Sequence, residues 1–185
     1  MTGGQRTCGS CTLCCKIVSV VDLQKPAMTW CQHCNIGRGC RIYEQKPASC
    51  VSFDCMWLVN EWIPDSLRPD RCKIVFEGLY GTKVVLALLN KGNDEAYRQE
   101  PAWSLIEHLI NRLGYSVMVV PHGCPPREPI VLVAVGTNPD TVFEAVDWAT
   151  TQNMRRYAEQ EGISLEEAKA QHRALIKTRS DGGKS

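Results

Sequence analysis

Four cysteines fall within eight residues of this 185-residue chain, in the stretch CGSCTLCCK from Cys8 to Lys16. From Cys8 to Cys55 the full series is C-x2-C-x2-C-C-x15-C-x2-C-x5-C-x9-C-x4-C, nine of the eleven cysteines present. Two cysteines separated by two residues can aim both sulfurs at one metal, because the intervening turn lets the side chains converge. That spacing occurs at Cys8/Cys11, Cys11/Cys14 and Cys31/Cys34. The competing explanation is that these are free cysteines packed as small hydrophobes. It fits poorly with CGSC, CQHC and GRGC, where glycine and polar neighbours fill no apolar core. The stretch MTGGQRTCGS has no apolar leader region, and the cysteine total is odd. Both features point to a reducing, cytoplasmic setting in which metal explains the thiols better than disulfides do.

The spacing leaves two metals open. C-x2-C-x2-C matches the first three ligands of a bacterial four-iron cluster, whose usual continuation is x3-C-P. Here Cys15 follows at once and no proline comes after it. Zinc accepts four thiolates from paired C-x2-C elements, and Cys31/Cys34 can pair with Cys8/Cys11 or Cys11/Cys14. Nine thiols suffice for two four-cysteine sites with one left over, or for one site and a reactive pair. Thiolate ligation of zinc by four cysteines carries a net charge of about 2−. Residues 1–75, with nine basic and six acidic side chains, hold the formal positive excess to meet it.

The segments CGSCTLCC and KPAMTWCQHCNIGRGCRIYEQKPASCVSFDCMWL, spanning Cys8 to Leu58, resemble the CxxCxxCC family of YkgJ-type cysteine-cluster proteins, which are zinc- or iron-chelating domains. The double cysteine of that family corresponds to Cys14 and Cys15, its C-x-I-Y element to CRIY at Cys40 to Tyr43, and its later RP-x-x-C-x-x-F-x-C element to KPASCVSFDC at Lys46 to Cys55. Lys46 stands where the family often has arginine, which keeps the charge and loses the planar fork. The resemblance implies that Cys8, Cys11, Cys14, Cys15, Cys31, Cys34, Cys40, Cys50 and Cys55 are all candidate metal ligands, for zinc or an iron–sulfur cluster. It covers under a third of the chain. A related motif occurs in flagellin lysine N-methylases, but this chain has no glycine-rich nucleotide loop that would carry methyl transfer over.

Other side chains take lesser roles. His33, inside CQHC, is expected to orient a neighbouring ligand or to face solvent, since Cys31 and Cys34 form the better chelate. His122 and Cys124 in PHGCPP have the makings of a nucleophile pair, although a rigid surface turn with an incidental thiol is the simpler reading without a third orienting group. Cys72 is expected to be buried structure at the start of a strand. Tyr43, Trp57 and Trp62 are expected to shield the cluster from water. Asp54 and Arg41 adjoin Cys55 and Cys40 as hydrogen-bonding neighbours.

These thiols need a scaffold. From residue 1 to about 71 the apolar residues are scattered, so metal is expected to supply most of the folding energy there. KIVSVVDLQKPA reads as a short strand and turn, and DCMWLVNEW as a helical turn or two. After the proline-rich connection Ile63 to Asp70 the pattern becomes regular: strand CKIVFE, turn GLYG, strand TKVVLALL. A helix from Pro101 to Leu113 follows, with Leu105, Ile106, Leu109, Ile110 and Leu113 on one face and Gly114 as its cap. YSVMVVP and IVLVAV are then strands, IVLVAV a buried one. The next helix has Asn138 as N-cap and Pro139 as first residue, and carries Val142, Phe143, Val146 and Ala149 as its apolar residues. Ser164 and Glu167 form a capping box that opens a last helix toward Lys177, followed by a disordered RSDGGKS.

The fold class that emerges is α+β: an irregular, metal-stapled, cysteine-rich region (1–71) packed on a small ββαββα unit (72–160), then a helical tail (161–185). A layered sheet with two helices on one face is the simplest arrangement. Net charge is +1 and there is no basic helix, so no nucleic acid is expected. The longest apolar run, Val84 to Leu89, is too short for a membrane span. The functional expectation is a cytoplasmic metal-binding protein with an accessory role beside a protein partner. The alternative is a redox or electron-transfer protein using an iron–sulfur cluster.

Overall fold

The computed structural model describes residues 6–53, 55–121 and 128–181, the last six as backbone only. The cysteine-rich region is built from short pieces: α1 (Leu13–Ile17), a 3-10 turn at Val21–Leu23, a hairpin of β1 (Cys34–Asn35) with β2 (Gly39–Cys40), α2 (Ala48–Val51), α3 (Met56–Val59) and α4 (Pro69–Cys72). None is long enough to be stable alone, so each depends on what it packs against. Lys73, in the left-handed region at φ 63°, ends α4 and turns the chain into the sheet. The expected strand around KIVSVV is reduced to a single bridge between Val20 and Lys25.

The sheet has the order β3 (Ile74–Gly78), β4 (Val84–Leu89), β5 (Ser116–Val120), β6 (Ile130–Leu132). β3 and β4 form the expected antiparallel hairpin, with Ile74 opposite Leu89. β4 and β5 are parallel, joined by the crossover helix α5 (Ala102–Asn111), and β6 returns antiparallel to β5. Gly114, at φ 67°, reverses the chain after α5 as expected, and the Tyr115 N–H donates to the Leu109 carbonyl.

Helices cover both faces of the sheet, not one. Ile74, Phe76, Val85, Ala87, Leu89, Val117 and Val119 pack against α5 together with Cys55, Met56 and Trp57. The alternate residues face the other way: Val75 meets Leu13 and Ile17 of α1, while Val84 and Met118 meet Val142 of α6 (Asp140–Glu161). The strand sequences VVLALL and SVMVV are continuously apolar, the pattern of strands buried on two sides. β6 is not a buried strand; it is a three-residue edge strand whose Ile130 is 38% exposed.

Helix α6 begins one residue later than expected, at Asp140, but Asn138 still accepts the Asp140 N–H at 3.0 Å through its side-chain oxygen. Phe143 faces solvent rather than the core. α7 (Leu165–Asp181) runs past Lys177, so Arg179 to Asp181 are helical rather than disordered. Ser164 Oγ accepts the Glu167 N–H, and Ala168 and Leu175 pack with Met154, Tyr157 and Val21. Among the described residues no helix is long and apolar enough to cross a membrane.

Leu109 is fully buried under the sheet, whereas Leu113 lies beyond the end of α5 and is 40% exposed. Leu109→Ala is therefore expected to cost about 2–5 kcal/mol in a urea melt, and Leu113→Ala no more than about 0.5 kcal/mol.

Candidate metal centre

All ten described cysteines are unpaired thiols. Several backbone bonds gather them. The Cys11 N–H donates to the Cys8 carbonyl at 2.8 Å, closing the first C-x2-C turn, and Cys34 N–H donates to Cys31 O at 3.0 Å in the second. The Cys31 N–H donates to Cys15 O at 3.0 Å, tying that second turn to α1. In the β1–β2 hairpin Cys34 lies directly opposite Cys40. Gly39, at φ 130°, passes so close to the first loop that a Cβ there would lie 2.9 Å from the Gly9 carbonyl oxygen, which only glycine avoids. Asp22 fixes the helix that carries Cys50, accepting from Ser49 N–H at 3.3 Å and from Ser49 Oγ.

Cys15 is the centre of one group. Hydrogen bonds from the Cys14 thiol, then from Cys34, with the Lys25 ammonium nearby, outweigh burial and bring its pKa down to about 6. The Cys14 thiol moves the opposite way, well above its ordinary value, because it donates to Cys15 and is buried. Burial and the Cys15 charge push Cys34 up to about 11, partly opposed by the Thr12 hydroxyl. Cys50 is also raised to about 11, by burial first and then by Cys15 and Cys31. Burial raises Cys8 as well, against the pull of Lys46 and the Tyr43 hydroxyl.

Lys25 is 5% exposed. Its ammonium donates to the carbonyls of Lys16 at 3.3 Å, Pro26 at 3.0 Å and Val18. Burial lowers its pKa, while Cys31, Cys15, Cys14 and Cys50 hold the charge in place. Sequence reading passed over this residue. The only available signal was its position in VDLQKP, between two cysteine-rich stretches, and nothing local marks a lysine for burial.

A second group lies at α4. Cys11 and Cys55 are raised by burial, Cys55 to about 11 with Cys11 and Cys8 adding to the rise, while Asp70 and Arg68 are the charges beside Cys11. Cys72, half-buried at the end of α4 rather than in a strand, is likewise raised to about 11 by burial, with Cys11 and Cys55 among its neighbours. Cys11 hydrogen-bonds to Asp70, whose carboxylate takes a two-pronged contact from Arg68 at 2.7 and 2.6 Å and is thereby held below the usual range. Arg6 and Arg68 both approach the Trp57 ring, and Arg6 donates to the Trp57, Asn60 and Glu61 carbonyls.

The expected neighbours divide. Tyr43 reaches Cys8, and Lys46 sits 4.0 Å over the Tyr43 ring, a point-charge contact in place of a guanidinium fork. Trp57 is buried beside Cys55, but Trp62 is 51% exposed and lies 5.5 Å from His108 on α5, so it does not shield the thiols. Arg41 donates to the Gln32 carbonyl, and His33 uses its carbonyl to accept the Arg41 N–H. Asp54, His122 and Cys124 lie outside the described residues.

No family model, curated protein or solved structure matches the chain. Among the described residues, no three His, Cys, Asp or Glu side chains converge closely enough to hold one metal ion. Thiols are soft donors of the kind zinc and iron–sulfur clusters take, but the described sulfurs do not form a ready-made cage.

With Cys15 depressed, its thiolate dominates above about pH 6 while Cys34 and Cys50 remain thiols through neutrality. In reduced, metal-free protein, iodoacetamide at pH 7 should label Cys15 ahead of Cys34 and Cys50, with its rate falling as pH drops through about 6. Lys25→Met removes a stabilising cation and should move that midpoint to higher pH; peptide mapping by mass spectrometry reads both.

Proposed function

We propose that this is a cytoplasmic metal-binding protein whose thiols hold zinc or an iron–sulfur cluster in a role accessory to a protein partner. The observation that carries this reading is Lys25, a buried ammonium beside Cys14, Cys15, Cys31 and Cys50. A buried cation costs several kcal/mol unless an anion compensates it. Thiols become that anion when they are deprotonated, as metal ligation requires. Cys14, Cys15, Cys31, Cys34 and Cys50, with Cys8 and Cys40, would supply one set of ligands, and Cys11 with Cys55 the remaining two. A bound metal would supply cross-linking of these short elements or, as an iron–sulfur cluster, one-electron chemistry. The resemblance of Cys8 to Leu58 to the CxxCxxCC family supports the same reading.

The partner reading draws on surface chemistry. Val59, Trp62, Tyr80 and Leu113 are exposed around one end of the sheet, and an apolar patch of that kind marks interaction surfaces. The net charge of +1 offers no electrostatic footprint for nucleic acid.

Anaerobic purification with elemental analysis and visible absorption separates the versions. Colourless protein with stoichiometric zinc identifies the structural form; brown protein with acid-labile sulfide identifies the redox alternative. Chelation should lower the melting temperature and expose further titratable thiols. Gly39→Ala, which forces the Cys8–Cys11 loop away from the hairpin, should lower metal per chain. Metal-free protein from every preparation, with melting indifferent to added zinc or to cluster reconstitution, would refute the proposal.

A further inference from the structure

The two faces of the sheet are filled differently. Under α5, Val85, Ala87, Leu89, Val117 and Val119 are all 0% exposed and belong to one continuous apolar cluster. On the opposite face the apolar side chains fall into three separate groups: Ile17 with Phe53 and Leu88, Val21 with Met154 and Tyr157, and Met118 with Leu86 and Val146. All three line one cavity of about 400 Å³. Leu79, Leu86, Leu88, Val120 and Val146 remain half-buried around it, although Leu86, Leu88 and Val120 belong to the two central strands. The gap has a structural origin. α6 lies on the sheet through Val142, Ala145 and Val146, but its later residues Met154, Tyr157 and Ala158 turn to Val21 and α7.

We propose that this cavity binds an uncharged, largely apolar small molecule with one hydrogen-bonding end, which completes the second core. An apolar cavity of about 150 Å³ takes a six-carbon ring, so this one takes a molecule of roughly 16 non-hydrogen atoms. The lining supplies one carboxylate, Glu77, and one guanidinium, Arg156, whose formal charges cancel. His172, also in the lining, is shifted by burial toward its neutral form. An ionic ligand would therefore meet no net countercharge. The polar end is assigned to Tyr157, whose hydroxyl donates to Gln171 at 2.8 Å and can still accept a hydrogen bond, with Asn153 and Gln160 beside it on α6. This assignment rests on the cavity alone and is independent of which metal, if any, the thiols hold.

The test uses the full chain as purified and N-phenyl-1-naphthylamine, an uncharged fluorophore of suitable size that brightens in apolar surroundings. Saturable enhancement at one site per chain is expected, together with a higher melting temperature. Val120→Phe and Val146→Phe, which fill the cavity, should abolish the enhancement while far-UV circular dichroism is retained; Leu113→Glu in the exposed patch should leave it intact. Dodecanol should displace the fluorophore more strongly than dodecanoate, and Tyr157→Phe should weaken dodecanol severalfold with the fluorophore signal preserved, an arm that holds even where a filling variant misfolds. The proposal is overturned by absence of saturable enhancement, by enhancement lost only in Leu113→Glu, or by dodecanoate displacing better than dodecanol.

Discussion

Strands β4 and β5 are apolar on both sides, and this two-sided burial governs the rest of the molecule. A parallel pair requires a crossover, and α5 provides it while covering one face. The other face must be covered from elsewhere in the chain. α6 covers the β4–β5 end, and α1, carrying Cys14 and Cys15, covers the β3 side through Leu13 and Ile17. The thiol-bearing region is thus structurally part of the core. Cys55, Met56 and Trp57 reinforce this, since they are buried within the α5-side cluster itself.

Much of this order can be read in the sequence. Hairpin, crossover helix, second strand pair and terminal helices all occur where periodicity and capping residues put them, with ends displaced by one to a few residues. Placement of both helices on one face, the simplest layered arrangement, fails because VVLALL and SVMVV are continuously apolar and are covered on both sides. The edge position of IVLVAV could not be read either: the run is as apolar as its neighbours, and only pairing on a single side distinguishes it. Trp62 was assigned to the thiols through nearness in sequence, yet the chain turns at Ile63 and leaves it beside His108.

For the thiols, spacing identifies the candidates but not the grouping. That grouping depends on long-range contacts such as Gly39 against Gly9, Cys31 against Cys15, and Asp22 against Ser49. Lys25 is the clearest omission. A lysine reads as a surface residue in any linear pattern, and its burial follows from three carbonyls and the nearby Cys31, Cys15, Cys14 and Cys50, which only the folded chain assembles. Cys72 joins Cys11 and Cys55 for the same reason, across a separation that no local motif spans.

The contact between α1 and Val75, and that between Lys16 and Asn90 at 2.9 Å, link residues far apart in the chain. A ribosome delivers the nine clustered cysteines well before Val75, Asn90 and Val117 exist to cover them. At synthesis rates of about 5–20 residues per second, Cys8 to Cys55 stay without their sheet for seconds. The contacts that group the thiols lie within residues 9–49 and can form early in synthesis, whereas the seating of α1 on the sheet must wait until Val75 and Asn90 have been made.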